Sequence, residues 1–226
     1  MRNMVSACIC AMLLASCGSV PSGSKQANLN NLVASLGYDA LALPSTAYGP
    51  GSLVTSVKGS GLQPPLRLTY LCRPDFTDTP PPIIDSAASS EVSSALKGSF
   101  QLDASALKQL GLGAHANYIR SVSLRLNNVT VEQLAYDDLE GIRSGLGPKC
   151  RELVDEFSRK SLAYQTKQAI RADVVYTVDL QKGASAEVKG LVIQSLNAAF
   201  GGSVQTDQGL TVTGKGLFYG LILTKV

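Results

Sequence analysis

Among 226 residues the chain has a single histidine, His115, no Cys-x-x-Cys pair and no Gly-x-Ser-x-Gly segment. The usual zinc donor sets need several such ligands at short spacing, so no metal site is expected. Without a serine elbow, α/β-hydrolase chemistry has no nucleophile. Charge of one sign is also scarce: 20 Lys and Arg stand against 17 Asp and Glu, a net +3 spread along the chain. A nucleic-acid binder gathers its cations into a patch or stripe, so no nucleic-acid partner is expected. The main apolar stretch, Val5 to Leu14, is ten residues long, whereas a spanning helix takes about twenty. What is present is a 45% hydrophobic content, enough for one sizeable core or two small ones and too much for a disordered chain.

Three motif-like matches carry little chemistry. Gly209 to Gly216 fits Gly-x-x-x-x-Gly-Lys but puts Gly216 where a magnesium-binding Ser or Thr belongs. Its inner residues, Leu210-Thr-Val-Thr213, alternate like a strand instead of forming a phosphate loop. Ser94 to Lys97 and Ser105 to Lys108 both fit Ser-x-x-Lys, without the further motifs that serine acylation uses. His115 has no identifiable nucleophile to activate. Asp137, Asp138 and Glu140 precede or open a helix, where carboxylates suit the helix dipole. No catalytic residue, cofactor or small-molecule ligand is assigned.

The start of the chain is more specific. Arg2, the short apolar run and the small residues Ala15 and Ser16 are the parts of a secretory signal peptide. Leu14-Ala15-Ser16-Cys17 resembles the lipobox of bacterial lipoproteins. The resemblance implies cleavage after residue 16, acylation (palmitate-type) of Cys17 and a membrane as first partner. Val5-Ser6-Ala7-Cys8 fits the same pattern but leaves no apolar segment ahead of the cut. Residues 17–28, rich in Ser and Gly, have the composition of a tether. Gly18 after the cysteine, in place of Asp, points to the outer membrane by the family's sorting rule. Export also implies a role for the two cysteines left over: Cys72 and Cys150 are expected to form a disulfide, with two separate buried thiols as the alternative.

The folded part is expected to be α+β, an antiparallel sheet with helices packed on one face. Residues 29–84 form a small β-rich part and 85–226 an α+β part, or the two make one domain. Helices are predicted over Leu29–Leu36, Ala87–Lys97, Ala104–Leu110 behind Asp103, Asp137–Ile142, Pro148–Leu162 and Ala184–Phe200. Strands are predicted over Tyr38–Leu43, Ser52–Lys58, Leu66–Leu71, Tyr118–Leu134 with a bulge or turn at Asn127-Asn128, Asp173–Leu180, Val204–Thr206, Leu210–Thr213 and Leu217–Val226. Arg73 to Asp85, with four prolines, is expected to be a loop.

These readings describe a non-catalytic envelope lipoprotein that binds or scaffolds another envelope protein. Two other classes stay open. Leu36-Gly-Tyr-Asp-Ala-Leu-Ala-Leu-Pro44 resembles the amino-terminal region of bacterial gasdermins, which implies a membrane-acting, pore-forming protein. An envelope hydrolase is the other class.

Overall fold

Apolar and polar side chains alternate from Ile119 to Gln133, and this stretch forms one strand in the computed structural model, which describes residues 28–57, 61–101, 117–183, 185–200, 204–207 and 209–226. In chain order the described elements are α1 (Leu29–Ser35), β1 (Asp39–Ser45), β2 (Leu53–Ser56), β3 (Leu68–Cys72), β4 (Ile83–Ile84), α2 (Ser86–Ala95) and β5 (Ser99–Gln101). They continue with β6 (Ile119–Gln133), α3 (Tyr136–Ser144), α4 (Pro148–Arg159), β7 (Tyr164–Leu180), α5 (Ala186–Phe200), β8 (Val204–Asp207) and β9 (Gly209–Lys225). The fold is α+β, and every strand pairing is antiparallel.

Local chemistry sets the helix ends. Asn28 accepts from the Asn30 N–H at 2.9 Å to open α1, and Gly37, at φ +84°, turns the chain out of it. Asp85 caps α2 by accepting from the Ala88 N–H at 3.0 Å, and its second oxygen accepts from Gln133 Nε2 at 3.2 Å on β6. Pro148 occupies the first turn of α4, where a missing N–H costs nothing.

Three long strands, β6, β7 and β9, form the middle of the sheet with β7 between the others. Taking the Tyr164 end of β7 as proximal and the Leu180 end as distal, β4 and β5 flank β6 at its proximal and distal ends. Likewise β1 and β8 flank β9, and β2 joins the start of β7 at Leu53 opposite Gln165. β3 then pairs with β2.

At the proximal end the sheet closes on itself. The Ala42 N–H donates to the Leu66 carbonyl at 2.8 Å and the Leu66 N–H to the Ala40 carbonyl at 2.7 Å, a parallel bridge between Leu41 and Leu66. That bridge links the chain entering β3 to β1 and completes a small barrel in the order β1-β9-β7-β2-β3. Leu41, Val54, Leu66, Leu68, Phe218 and Leu221 fill it. Closure removes two exposed strand edges.

The helices pack on the other face. Val33 of α1, Val92 of α2 and Val188 and Val192 of α5 meet Val122, Leu124, Ile170, Val174, Tyr176 and Val212 of the sheet. Leu53 points away from the barrel interior that its neighbour Val54 enters, and joins Leu146, Val154 and Ala163 beside α4. Leu139 and Ile142 bury α3 against Leu134. At the distal end the face opposite the helices carries Ser123, Arg125, Val175 and Thr177, half-buried or exposed.

Several elements differ from their sequence expectation. β7 begins at Tyr164, nine residues before Asp173, because its first half buries Gln165 and Thr166 and carries a register shift between Thr166 and Gln168 that breaks the alternation. β9 is one continuous strand, since Lys215 and Gly216 form a bulge within it instead of ending it. β1 runs on through Pro44, at an irregular stretch of the edge where no N–H is needed. Ile83–Ile84 pairs with β6 inside the segment expected to be a loop, and β5 was not expected. The predicted helix Ala104–Leu110 and its cap Asp103 lie outside the described residues. Strands from both sides of the expected boundary at 84 and 85 share the sheet: β1 pairs with β9, β2 with β7 and β4 with β6.

Candidate functional site

The structure joins Cys72 and Cys150 in a disulfide, with Cα atoms 6.0 Å apart and a sequence separation of 78. Cys72 ends β3 and is buried, while Cys150 sits in the first turn of α4. The bond ties that helix to the sheet beside Leu53, Leu146 and Val154. Cys17, His115 and the Ser105 to Lys108 match lie outside the described residues. Ser94 and Lys97 are both exposed at the end of α2. Gly209 to Gly216 belongs to β9, and the Gly216 N–H donates to Asp173 Oδ1 at 2.8 Å, not to a phosphate-cradling loop. Asp137 and Asp138 occupy the first turn of α3, and among the described residues no group of three or more His, Cys, Asp or Glu is placed to hold a metal ion.

Sequence reasoning missed three arrangements, each built from residues distant in the chain. The first is a cleft of about 390 Å³ at the barrel mouth, lined by Leu43, Tyr48, Val57, Leu66 and Arg67 among others. Its walls are mixed, apolar at Leu43, Val57 and Leu66 and polar at Tyr48 and Arg67, and Val57 is 56% exposed. The Tyr48 hydroxyl donates to the Leu68 carbonyl at 2.9 Å, and burial, then the neighbouring Tyr70, pushes its pKa up. This hydroxyl is a structural donor and no proton acceptor at neutral pH. A cleft of this size and lining suits binding.

The second is polar and fully buried. Gln165 accepts from Arg143 Nη1 at 2.8 Å and donates to the Leu139 carbonyl at 3.2 Å and the Gly51 carbonyl at 3.4 Å. It bonds the Leu139 carbonyl midway along α3 and the turn before β2 at once, which is why a glutamine is accommodated in the core.

The third lies halfway along the long strands. Asp173 accepts from Asn128 Nδ2 and from the Gly216 N–H, both at 2.8 Å. Those hydrogen bonds, the Asn128 one foremost, hold its carboxyl below the usual carboxylate range, with Lys215 and Arg171 adding to them against partial desolvation. Next to it Arg171 pairs with Glu132 at 2.8 Å. On the helix side of the sheet Tyr176 and Tyr219 are buried, their pKa values pushed up mainly by burial. They line a cavity of about 40 Å³, room for one water.

These features define an α+β protein with a barrel-closed sheet, a disulfide clasp and a binding-sized cleft. No family profile matches the chain, and no curated protein matches it. Among solved structures it is similar to a bacterial gasdermin from Bradyrhizobium tropiciagri, at 14% identity over 87% of this chain and 85% of that one, with a TM-score of 0.39.

Proposed function

We propose that the chain is a lipoprotein of the bacterial cell envelope, held at the outer membrane by acylated Cys17, whose folded part binds or scaffolds another envelope protein. The observation that supports it is the Cys72–Cys150 disulfide. Such bonds persist in exported proteins and are rare in a reducing cytosol, which agrees with Leu14-Ala15-Ser16-Cys17 as a cut and acylation site. The barrel-mouth cleft offers a mixed lining of aliphatic side chains, a tyrosine and one guanidinium, a chemistry suited to holding a partner. The test is mass spectrometry of the full chain expressed in a bacterium with two membranes. A mature protein that begins at Cys17 and carries acyl mass supports the reading. A chain that keeps residues 1–16, or begins at an unmodified Cys17, overturns the anchoring. Capture from detergent-solubilised envelope then tests for the partner.

A membrane-acting role has one observation in its favour. From Ile170 to Leu180, β7 turns Ile170, Ala172, Val174, Tyr176 and Val178 toward the helices and Arg171, Asp173, Val175, Thr177 and Asp179 away, Val175 being the one apolar member of the outer set. Alternation over eleven residues matches the length and pattern of a tilted membrane-crossing strand, about 9–11 residues. No helix among the described residues is long and apolar enough to cross a membrane. Dye release from vesicles containing anionic lipid would support this role, and intact vesicles at micromolar protein would count against it.

A further inference from the structure

The Asn128–Asp173–Gly216 arrangement marks a line across the whole sheet. On β6, Asn127 faces Asp173 and Thr130 faces Arg171, so Asn128 and Val129 stand opposite Ala172 alone. On β9, Gly214 faces Val174 and Leu217 faces Ala172, so Lys215 and Gly216 stand opposite Asp173 alone. Each flanking strand therefore carries a bulge at the same level of β7. Asn128 has φ +50° and Gly216 φ +61°, both left-handed. A bulge bends its strand and tightens the local twist, and two side by side put a crease in the sheet.

Among the described strands only β6, β7 and β9 cross this level, and α2 lies over it, joined through Asp85 and Ser89 to Gln133 and Val131 on the proximal side. β1, β2 and β4 pair on its proximal side, with Phe218 and beyond, with Tyr164–Gln165 and with Glu132–Gln133. β5 and β8 pair on its distal side, with Ser123–Arg125 and Gly209–Val212. The two sides are also unequally supported. The proximal side is packed on both faces, by the helix layer and by the barrel core. The distal side packs against α2 and α5 on one face, while Ser123, Arg125 and Thr177 on the other are half-buried or exposed. What stitches the crease is a short row of side chains on the open face, Asn128 and Glu132 of β6 with Asp173 and Arg171 of β7, plus the Gly216 N–H. Gly216 has a second reason to lack a side chain, because a Cβ there would lie 2.7 Å from an Arg171 guanidinium nitrogen.

We propose that this crease is a hinge: the distal end of the sheet opens as one cooperative unit while the proximal barrel stays closed, and Asp173 is the latch that sets how often it opens. A segment packed on one face only, with the other face solvated, opens below the global unfolding free energy as a contiguous unit.

Residue-resolved hydrogen exchange on the full chain under native conditions tests this. The slow amides within Val122–Leu126, Val174–Val178 and Thr211–Thr213 should share one opening free energy, lower than that of Ala169–Ile170 and Phe218–Leu221. Asp173→Ala should speed distal exchange roughly tenfold, as much as it speeds the proximal amides that report global unfolding. Asp173→Asn, which keeps an acceptor for the Gly216 N–H, should fall between. Equal protection of both sides in the unaltered chain overturns the hinge without need of any variant. Acceleration of the proximal amides alone by Asp173→Ala, with distal exchange unchanged, overturns the latch.

Discussion

A carboxylate that accepts hydrogen bonds from both neighbouring strands is stabilised in its ionised form, and the two bonds to Asp173 come from Asn128 and Gly216, 45 and 43 residues away. Its folded pKa is lowered, so its contribution is present above the unfolded value of about 4 and is lost as pH falls through the folded value. Asp173→Ala should cost about 1–2 kcal/mol by urea unfolding at neutral pH, at the low end for charged hydrogen bonds because the group is half in solvent. The gap between the two proteins should narrow as the series is repeated from about pH 5 downward; a gap independent of pH would remove the carboxylate's charge from the explanation. A second residue-scale constraint is steric. A Cβ on Gly220 would lie 2.6 Å from Val33 Cγ1 and 3.0 Å from Tyr38 Cβ, so the missing side chain is what lets α1 lie against β9. Gly220→Ala should destabilise by about 1–3 kcal/mol, as overpacking does. Adding Val33→Ala should return part of that loss, and the coupling in the double-mutant cycle measures it.

At the scale of elements, what could be read from the sequence was whatever obeyed one period. The alternation of β6 and its interruption at Asn127-Asn128 are visible in the order of residues, as are the helix ends at Gly37 and Pro148. β7 was half hidden because Gln165 and Thr166 are buried polar residues, partnered or enclosed by α3 and β2 in ways no local window contains. β9 was split in reading because Gly-Lys-Gly at 214–216 has the composition of a turn, and its strand conformation depends on Asp173. The cleft was illegible since the bridge between Leu41 and Leu66 creates it. The Cys72–Cys150 pairing follows from counting cysteines if residues 1–16 are taken as a signal segment, and the bond clasps α4 to β3. Closing 78 residues should stabilise the fold by about 4 kcal/mol in the chain-entropy account. Unfolding with and without a reductant that reaches the buried bond checks this. The paired substitution Cys72→Ser with Cys150→Ser should lose a similar amount and become insensitive to reductant.

For the whole molecule, the covalent path from Cys17 to Asn28 is eleven residues, so an acylated Cys17 would keep the start of α1 within about 40 Å of the bilayer. Several acyl chains make that attachment stable where a single chain gives only marginal binding. Anchoring and disulfide formation then depend on different features of the same segment. On the proposed anchoring, the apolar run carries export and the thiol of Cys17 carries the lipid. Cys17→Ala in the full chain should therefore leave the outer-membrane fraction without losing the Cys72–Cys150 bond, provided that the chain is still exported. Replacing apolar residues between Val5 and Leu14 with charged ones should lose both, leaving the protein in the cytosol with two free thiols. Membrane fractionation and thiol-reactive mass labelling read the two outcomes separately. A Cys17→Ala protein that stays with the membrane would shift the attachment to the folded part, with the exposed Val57 and Arg67 of the barrel mouth as the surface to alter next.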